Sequence, residues 1–311
     1  MEEHDYQLAI IGGGPASFSA AIYAKRKNLS TAVIAKEFGG QLLWSNEVEN
    51  YPGIQSTTGY ELMKKFQDHV KEYGPDQFEG EEVTQLKRDE EGEGFLIETK
   101  GGEVFHAQAV VVASGSRWRK LGVPGEEDLT GKGVSYCTTC DGPLFADRDV
   151  LVVGGGNSAF EGIIDLLPIA GKIFNVDIAP EPIADPILKE RVGEDAIEGY
   201  YNHEIVEIQG EESVSGVKIR DRESEEEKVL DVEGVFIEIG LIPNSGFAEE
   251  LLELNEAGEI VVDCKAETNV PGIYGAGDVT NVPEKQIVIS AGEGAKAALG
   301  AYRYLIREGQ I

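Results

Sequence analysis

The chain has 311 residues, 41% of them hydrophobic and 39 of them glycine. That length suits about two domains with ordinary buried cores. The glycines follow no three-residue period and gather in short turns, so a collagen-like fibre is excluded. With 57 acidic against 27 basic residues the net charge is −30. Such a charge repels phosphate backbones and anionic lipid, which argues against nucleic-acid and membrane partners. The acids read most simply as a solvated surface; a salt-rich cytoplasm is the other reading. No apolar run is long enough for a transmembrane helix. The first residues, Met1 to Asp5, are acidic and lead into a strand, unlike a signal peptide, so a cytoplasmic protein is expected.

Taken in chain order, Tyr6–Ile11 is a short apolar run that ends in Gly12-Gly13-Gly14. Pro15–Lys27 follows with apolar residues at helical spacing (Phe18, Ala21, Ile22), and Thr31–Ala35 reads as a second strand. This is a βαβ unit opened by a glycine-rich turn. A further apolar run, Ala109–Ala113, ends in Ser114-Gly115-Ser116. A second copy of the unit then begins: strand Val150–Val153, turn Gly154-Gly155-Gly156, helix Ala159–Leu167, strand Ile173–Ile178. Gly210–Lys228 reads as a hairpin with Glu-rich turns. Gly272–Tyr274 leads into Gly275-Ala276-Gly277-Asp278, and Ile287–Leu305 reads as an Ala-rich helix. The fold class is therefore α/β, with two Rossmann-like dinucleotide-binding domains. No low-complexity linker separates them, so the second is expected as an insertion in the first, over 1–116, 117–242 and 243–311.

The first turn is Gly12-x-Gly14-x-x-Ser17, with a serine where the fingerprint has Gly or Ala. Glycines there let the backbone approach a pyrophosphate at a helix N-terminus. A purely structural glycine turn is the plainer reading, since such motifs give false positives. The second strand closes on Ala35-Lys36-Glu37, so the ribose acid is not squarely placed, although Glu37 is near. Asp278, at a strand end before a helix, can aim a carboxylate at a sugar-alcohol chain. A plain strand–turn–helix is the alternative.

Cys137-Thr138-Thr139-Cys140-Asp141-Gly142-Pro143 is the most specific segment. Two thiols at this spacing can close a small disulfide ring, and a helix start just after them would lower a thiolate pKa. Asp141 could pass a proton to a leaving thiolate. A metal site needs two more ligands, and only Cys264 and four scattered histidines remain, so no metal is expected. Cys264 reads as a small buried hydrophobe.

These motifs together resemble the low-molecular-weight thioredoxin reductases, from about Tyr6 to Leu305. The resemblance is carried by Gly12 to Ala16, Gly39-Gly40-Gln41-Leu42, Glu47 to Gly53, Cys137 to Gly142, Gly154 to Ala159 and Gly275 to Val279. Lys285-Gln286-Ile287 stands where that family has Arg-Gln-Ala. The resemblance implies FAD on the first domain, held by residues from Gly12, Gly14, Pro15, Ala16, Glu37, Gly40, Gln41, Asn50, Asp278, Gln286 and Ile287. It also implies a homodimer that reduces thioredoxin or a thioredoxin-like protein. Reduced flavin would pass two electrons to the Cys137–Cys140 disulfide, with Cys140 facing the flavin, Cys137 attacking the partner and Asp141 as acid–base residue.

One stretch departs from the pattern. The family reads NADPH with His-Arg-Arg-x-x-x-Arg, where this chain has Asp177, Ile178, Ala179 and, at the last arginine, Ile183. Arginine suits a 2′-phosphate because it forks onto two oxygens, so NADPH is expected to be a poor donor. Gly154-x-Gly156-x-x-Ala159 is intact, and Asp177 lies roughly 20 residues past Gly154, as a ribose acid should. NADH is therefore one candidate. A domain that no longer binds nicotinamide, fed by ferredoxin or a deazaflavin, is the other; Phe160 and Pro168 in the second helix lean that way. Lys25-Arg26-Lys27 and Arg117-Trp118-Arg119-Lys120 are the basic clusters an acidic ferredoxin would need, although cations at a helix end also offset its dipole. An oxidase of small dithiols using O₂, or a flavin-bearing dithiol sensor, would also do without the arginines.

Overall fold

The computed structural model describes residues 3–45, 48–89, 93–193 and 196–311. Glu47, part of one motif above, lies outside them. The chain forms two compact units, Met1–Arg117 with Ile242–Ile311, and Trp118–Leu241. In sequence the second unit thus falls between the two stretches of the first.

The first unit opens with β1 (Glu3–Ile11), α1 (Pro15–Arg26), β2 (Thr31–Ala35), α2 (Gly59–Tyr73), β3 (Asp76–Glu79), β4 (Val83–Arg88), β5 (Phe95–Thr99) and β6 (Val104–Val112). The chain leaves it through β7 (Ser116–Trp118). The inserted unit holds β8 (Val134–Ser135), α3 (Thr138–Asp141), β9 (Val150–Val153), α4 (Asn157–Leu166), β10 (Ile173–Asp177), α5 (Pro186–Val192) and β11 (Glu198–Tyr201). It continues with β12 (His203–Gly210), β13 (Val214–Asp221), β14 (Glu227–Leu230) and β15 (Gly234–Ile237). The chain returns through β16 (Leu241–Pro243) to β17 (Ile273–Gly275) and α6 (Ile287–Arg307).

The first unit's sheet runs β3-β2-β1-β6-β5-β4, with β17 also on β6. Pairs β1–β2, β1–β6, β2–β3 and β6–β17 are parallel. Parallel strands are covered on both faces and read as continuous apolar runs, which is how β1 and β6 read. Leu8 and Ile10 face one core with Phe18, Ala297 and Leu305. Ala9 and Ile11 face the other with Phe95, Phe105 and Ile260. α1 and α6 approach closely, because a Cβ at Gly294 would stand 1.9 Å from the Ala16 carbonyl oxygen.

The inserted unit repeats the plan in a sheet ordered β11-β10-β9-β15-β8. Val150 and Val152 face α4 through Phe160 and Ile163. Leu151 and Val153 face Ile205, Val217 and Leu230 of a three-stranded antiparallel sheet, β12-β13-β14. The hairpin expected over Gly210–Lys228 is part of that sheet. Phe160 is a core residue of α4, which ends at Leu166, before Pro168. Cys264 corrects the expectation of a buried hydrophobe, for it is exposed on a loop. Among the described residues no helix is long and apolar enough to cross a membrane.

Candidate functional site

The two glycine turns are built alike. β1 ends at Ile11 and Gly12 turns the chain at φ +127°, which only glycine tolerates well. A Cβ there would stand 2.1 Å from the Ala113 carbonyl oxygen. In the inserted unit Gly154 turns at φ +126°, and a Cβ would stand 2.5 Å from the Glu238 carbonyl oxygen. Gly14 and Gly156 are the residues before α1 and α4; neither helix has a side-chain cap, and a Cβ at either glycine would meet nothing within 4 Å. Each helix thus offers free N–H groups to open space, the arrangement that suits a phosphate. Pro15 takes the first position of α1, and Ala16 packs beneath it; Ala159 is buried in α4.

Around the first turn the chain gathers residues distant in sequence. Gln41, one residue past the left-handed Gly40, donates from Nε2 to the Ser116 carbonyl at 2.7 Å and its Oγ at 2.9 Å. Asn50 Nδ2 donates to Gln286 Oε1 at 3.2 Å. Ile287 begins α6, whose N-terminus also lacks a side-chain cap. Asp278 Oδ1 accepts from Ser290 Oγ at 3.2 Å. Burial raises the Asp278 carboxyl above its ordinary range, while Ser290 and Lys285 pull it down. Gly277 N donates to the buried Glu293 at 2.9 Å. Glu37 is exposed just beyond β2.

Around the second turn a carboxylate stands where the first has none. Asp177 ends β10, and a Cβ at Gly155 would come within 2.9 Å of its Cγ. Its Oδ1 accepts from Ala179 N at 2.7 Å. The following segment folds back, with Ile183 N and Ala184 N donating to the Gly155 carbonyl at 2.8 and 2.9 Å. Ile178 is 59% and Ile183 78% exposed, so neither is held in a core. Arg222 reaches this edge from beyond β13 and donates to the Ile178 carbonyl at 3.0 Å. Buried Asn175 ties Val152 and Gly154 together, donating to their carbonyls at 3.0 and 2.8 Å.

Cys137 and Cys140 form a disulfide, with Cα atoms 5.3 Å apart. The helix expected after the motif begins inside it: α3 spans Thr138–Asp141 with Cys137 as its cap, and Cys140 N donates to Cys137 Sγ at 3.2 Å. Cys140 is exposed and Cys137 half-buried. Asp141 Oδ2 accepts from Ser135 Oγ at 2.6 Å. Burial raises the Asp141 carboxyl, and the Ser135 bond offsets only part of that. Tyr136, just before the dithiol, stacks on Trp118 at 4.9 Å and donates to buried Glu126 at 2.8 Å. Glu126 also accepts from Leu121 N and Gly122 N.

Sequence reasoning did not reach Glu238, Ser135, Asn175 or Arg222. Glu238 had one signal: it follows an apolar strand at its C-terminal end, where α/β folds place functional groups. Asn175 and Arg222 lie far in sequence from the groups they touch and carry no local mark; Ser135 lies only six residues before Asp141, and its residue type alone does not single it out. Among the described residues no three His, Cys, Asp or Glu side chains are arranged to hold a metal ion.

A chain with two Rossmann-like units, one carrying a Cys-x-x-Cys disulfide, has the architecture of a class of flavin-dependent oxidoreductases. The family model described as pyridine nucleotide-disulphide oxidoreductase matches residues 6–294. A thioredoxin reductase from Streptococcus pyogenes superposes with a TM-score of 0.92 at 36% identity, over 98% of this chain and 100% of that one. A Staphylococcus aureus protein named as part of alkyl hydroperoxide reductase is 43% identical over 97% of this chain and 59% of its own length. A Bacillus subtilis protein named NADH dehydrogenase is 43% identical over 98% of this chain and 60% of its own length. The chain belongs to the pyridine nucleotide-disulphide oxidoreductases and, within them, to the group of low-molecular-weight thioredoxin reductases. It spans about three-fifths of the curated relatives it matches. The family implies FAD and a nicotinamide cofactor.

Proposed function

We propose that this chain reduces the disulfide of thioredoxin or of a thioredoxin-like protein, with FAD in the first unit, NADH as donor and Cys137–Cys140 as the electron carrier. The observation that carries the reading is the pairing, within the inserted unit, of a redox disulfide beside Asp141 with an intact glycine turn backed by Asp177.

The residues of the first unit fit FAD. The open space at Gly14 and the uncapped start of α1 suit its pyrophosphate. Glu37 suits a ribose, and Asp278 the sugar-alcohol chain. Gly40, Gln41, Asn50, Gln286 and the Ile287 N–H supply the remaining polar edge. Bound FAD would supply a two-electron relay between nicotinamide and dithiol.

At the second turn Gly156 leaves room for a pyrophosphate, and Asp177 can accept from ribose hydroxyls. A carboxylate there repels a 2′-phosphate, and Ile178 and Ile183 offer it no donor. The name of the Bacillus subtilis relative supports NADH. Ferredoxin is less well served, because Lys120 is paired with Glu127 at 2.6 Å and Arg117 bonds Asn244 Oδ1 at 3.0 Å.

In turnover the Cys137 thiolate attacks one sulfur of the partner's disulfide and expels the other as thiolate. Cys140 then displaces the partner from the mixed disulfide, and the Cys137–Cys140 bond re-forms. Burial raises the Asp141 carboxyl, which favours its protonated form and suits it to pass a proton to a leaving thiolate.

The test is anaerobic addition of NADH, NADPH or reduced ferredoxin to the yellow protein, followed by oxidised thioredoxin. Fast bleaching by NADH and recovery with thioredoxin is the expected result. Bleaching by ferredoxin alone would overturn the donor, and no recovery with thioredoxin would overturn the acceptor.

A further inference from the structure

Glu238 touches both halves of the chemistry in the inserted unit. It follows β15, the strand between β9 and β8. Its main-chain N donates to the Val153 carbonyl at 2.9 Å, and its own carbonyl lies against Gly154. Its side chain turns the other way, and Oε1 accepts from Thr138 N at 3.2 Å. Thr138 is the residue after Cys137, and its side chain is seated on Gly162 of α4, where a Cβ would come within 2.8 Å of it. The carboxyl is thereby fixed on the main chain of the residue that follows the first thiol of the pair.

The charged groups around it are acids. α4 contributes Glu161 and Asp165, α3 ends in Asp141, and the Gly154–Gly156 turn contributes no charge. Among the described residues none of these four carboxyls makes an ion pair. We propose that Glu238 is a proton-coupled positioning residue of the dithiol: its carboxyl, held on the Thr138 main chain, and the Cys137 thiol compete for one proton, so that ionisation of either suppresses the other. Burial is the main cause that lifts the Glu238 carboxyl to about 7, with Asp165 and Glu161 adding and Thr138 opposing. Two interacting sites of this kind titrate as a pair.

The coupling rests on the disulfide-reductase reading only for its purpose. Two electrons break the Cys137–Cys140 bond and leave two thiolates. One proton from solvent then settles on Cys140 and a second on Cys137 or Glu238. With the proton on Glu238, Cys137 stays a thiolate ready to attack a partner.

The test is alkylation of Cys137 by iodoacetamide between about pH 5 and pH 9. It uses the FAD-loaded protein carrying Cys140→Ser and Cys264→Ser, so it needs neither donor nor thioredoxin. The parent is expected to gain reactivity in two steps, one near neutrality. Adding Glu238→Gln keeps the acceptor for Thr138 N. It should leave a single step at lower pH and raise the rate near pH 8 about fivefold. Glu238→Asp should restore two steps. Superimposable parent and Gln profiles would overturn the proposal. If the Gln variant loses FAD or folds poorly, a parent profile with one step would overturn it equally.

Discussion

The inserted unit repeats the backbone plan of the first unit's glycine turn, yet the two are surrounded differently. Gly12 and Gly154 share one backbone angle, and Gly14 and Gly156 share open space before an uncapped helix. Behind the first turn stand Phe38 and the Glu37 carbonyl, with the Glu37 side chain exposed and a Glu79 carboxylate oxygen accepting from Phe38 N at 3.2 Å. Behind the second stands the Asp177 carboxylate. The first unit adds a second uncapped helix, α6, packed on α1; the inserted unit adds α3 with its disulfide. On the function proposed above, the turn prepares each unit for a pyrophosphate, and the surroundings decide which molecule carries it.

The comparison can be broken most severely at the dithiol. Cys140→Ser should keep FAD and lose disulfide reduction by on the order of a thousandfold, read with thioredoxin under saturating donor. Normal turnover would remove the dithiol from the mechanism.

The same substitution at the two matched glycines should have different effects. Gly14→Val should yield a folded but colourless protein, measured by flavin absorbance. Gly156→Val should stay yellow and slow anaerobic bleaching by NADH by on the order of a hundredfold. Equal flavin loss in both would mean the two turns do not serve separate dinucleotides.

Asp177→Ala should raise the KM for NADH about tenfold, since a good ribose hydrogen bond to a charged group contributes roughly 1.5–3 kcal/mol. Steady-state kinetics would show this with kcat little changed. Placing arginine at Ile178, Ala179 and Ile183 together should improve kcat/KM for NADPH by a few-fold to about tenfold. No gain would mean that the fold-back of Ile183 and Ala184 onto Gly155 closes the phosphate subsite.

The smallest effect is on stability. Because the Glu238 carboxyl is raised in the folded unit, its contribution is fully present below the ordinary value near 4.5 and is lost as pH rises through about 7. Glu238→Gln should therefore match the wild type in acid and gain about 1–3 kcal/mol above neutrality, read by denaturant unfolding. An equal gain at every pH would assign the effect to packing rather than titration.

Much of this was legible in the chain. β2 was readable to the residue and α6 to within its last turn, because apolar periodicity and glycine punctuation mark such elements locally. The Cys137–Cys140 disulfide was legible from its spacing, and the places of Asp141, Asp177 and Asp278 near strand or helix ends were legible from the motifs beside them. Cys264 was misread, because a cysteine's burial depends on what packs against it and not on its own chemistry.

By itself the sequence determined the two βαβ units, the redox pair and the missing arginines, since these are matters of residue type and short spacing. Only the tertiary structure decided which distant groups meet. It joined Asn50 to Gln286, set Gly155 against Asp177 and brought Glu238 to Thr138 across 100 residues. Such contacts follow from strand order, and parallel crossovers carry the chain past its neighbours before returning it beside them. Strand order is a property of the whole sheet and leaves no mark on any one segment.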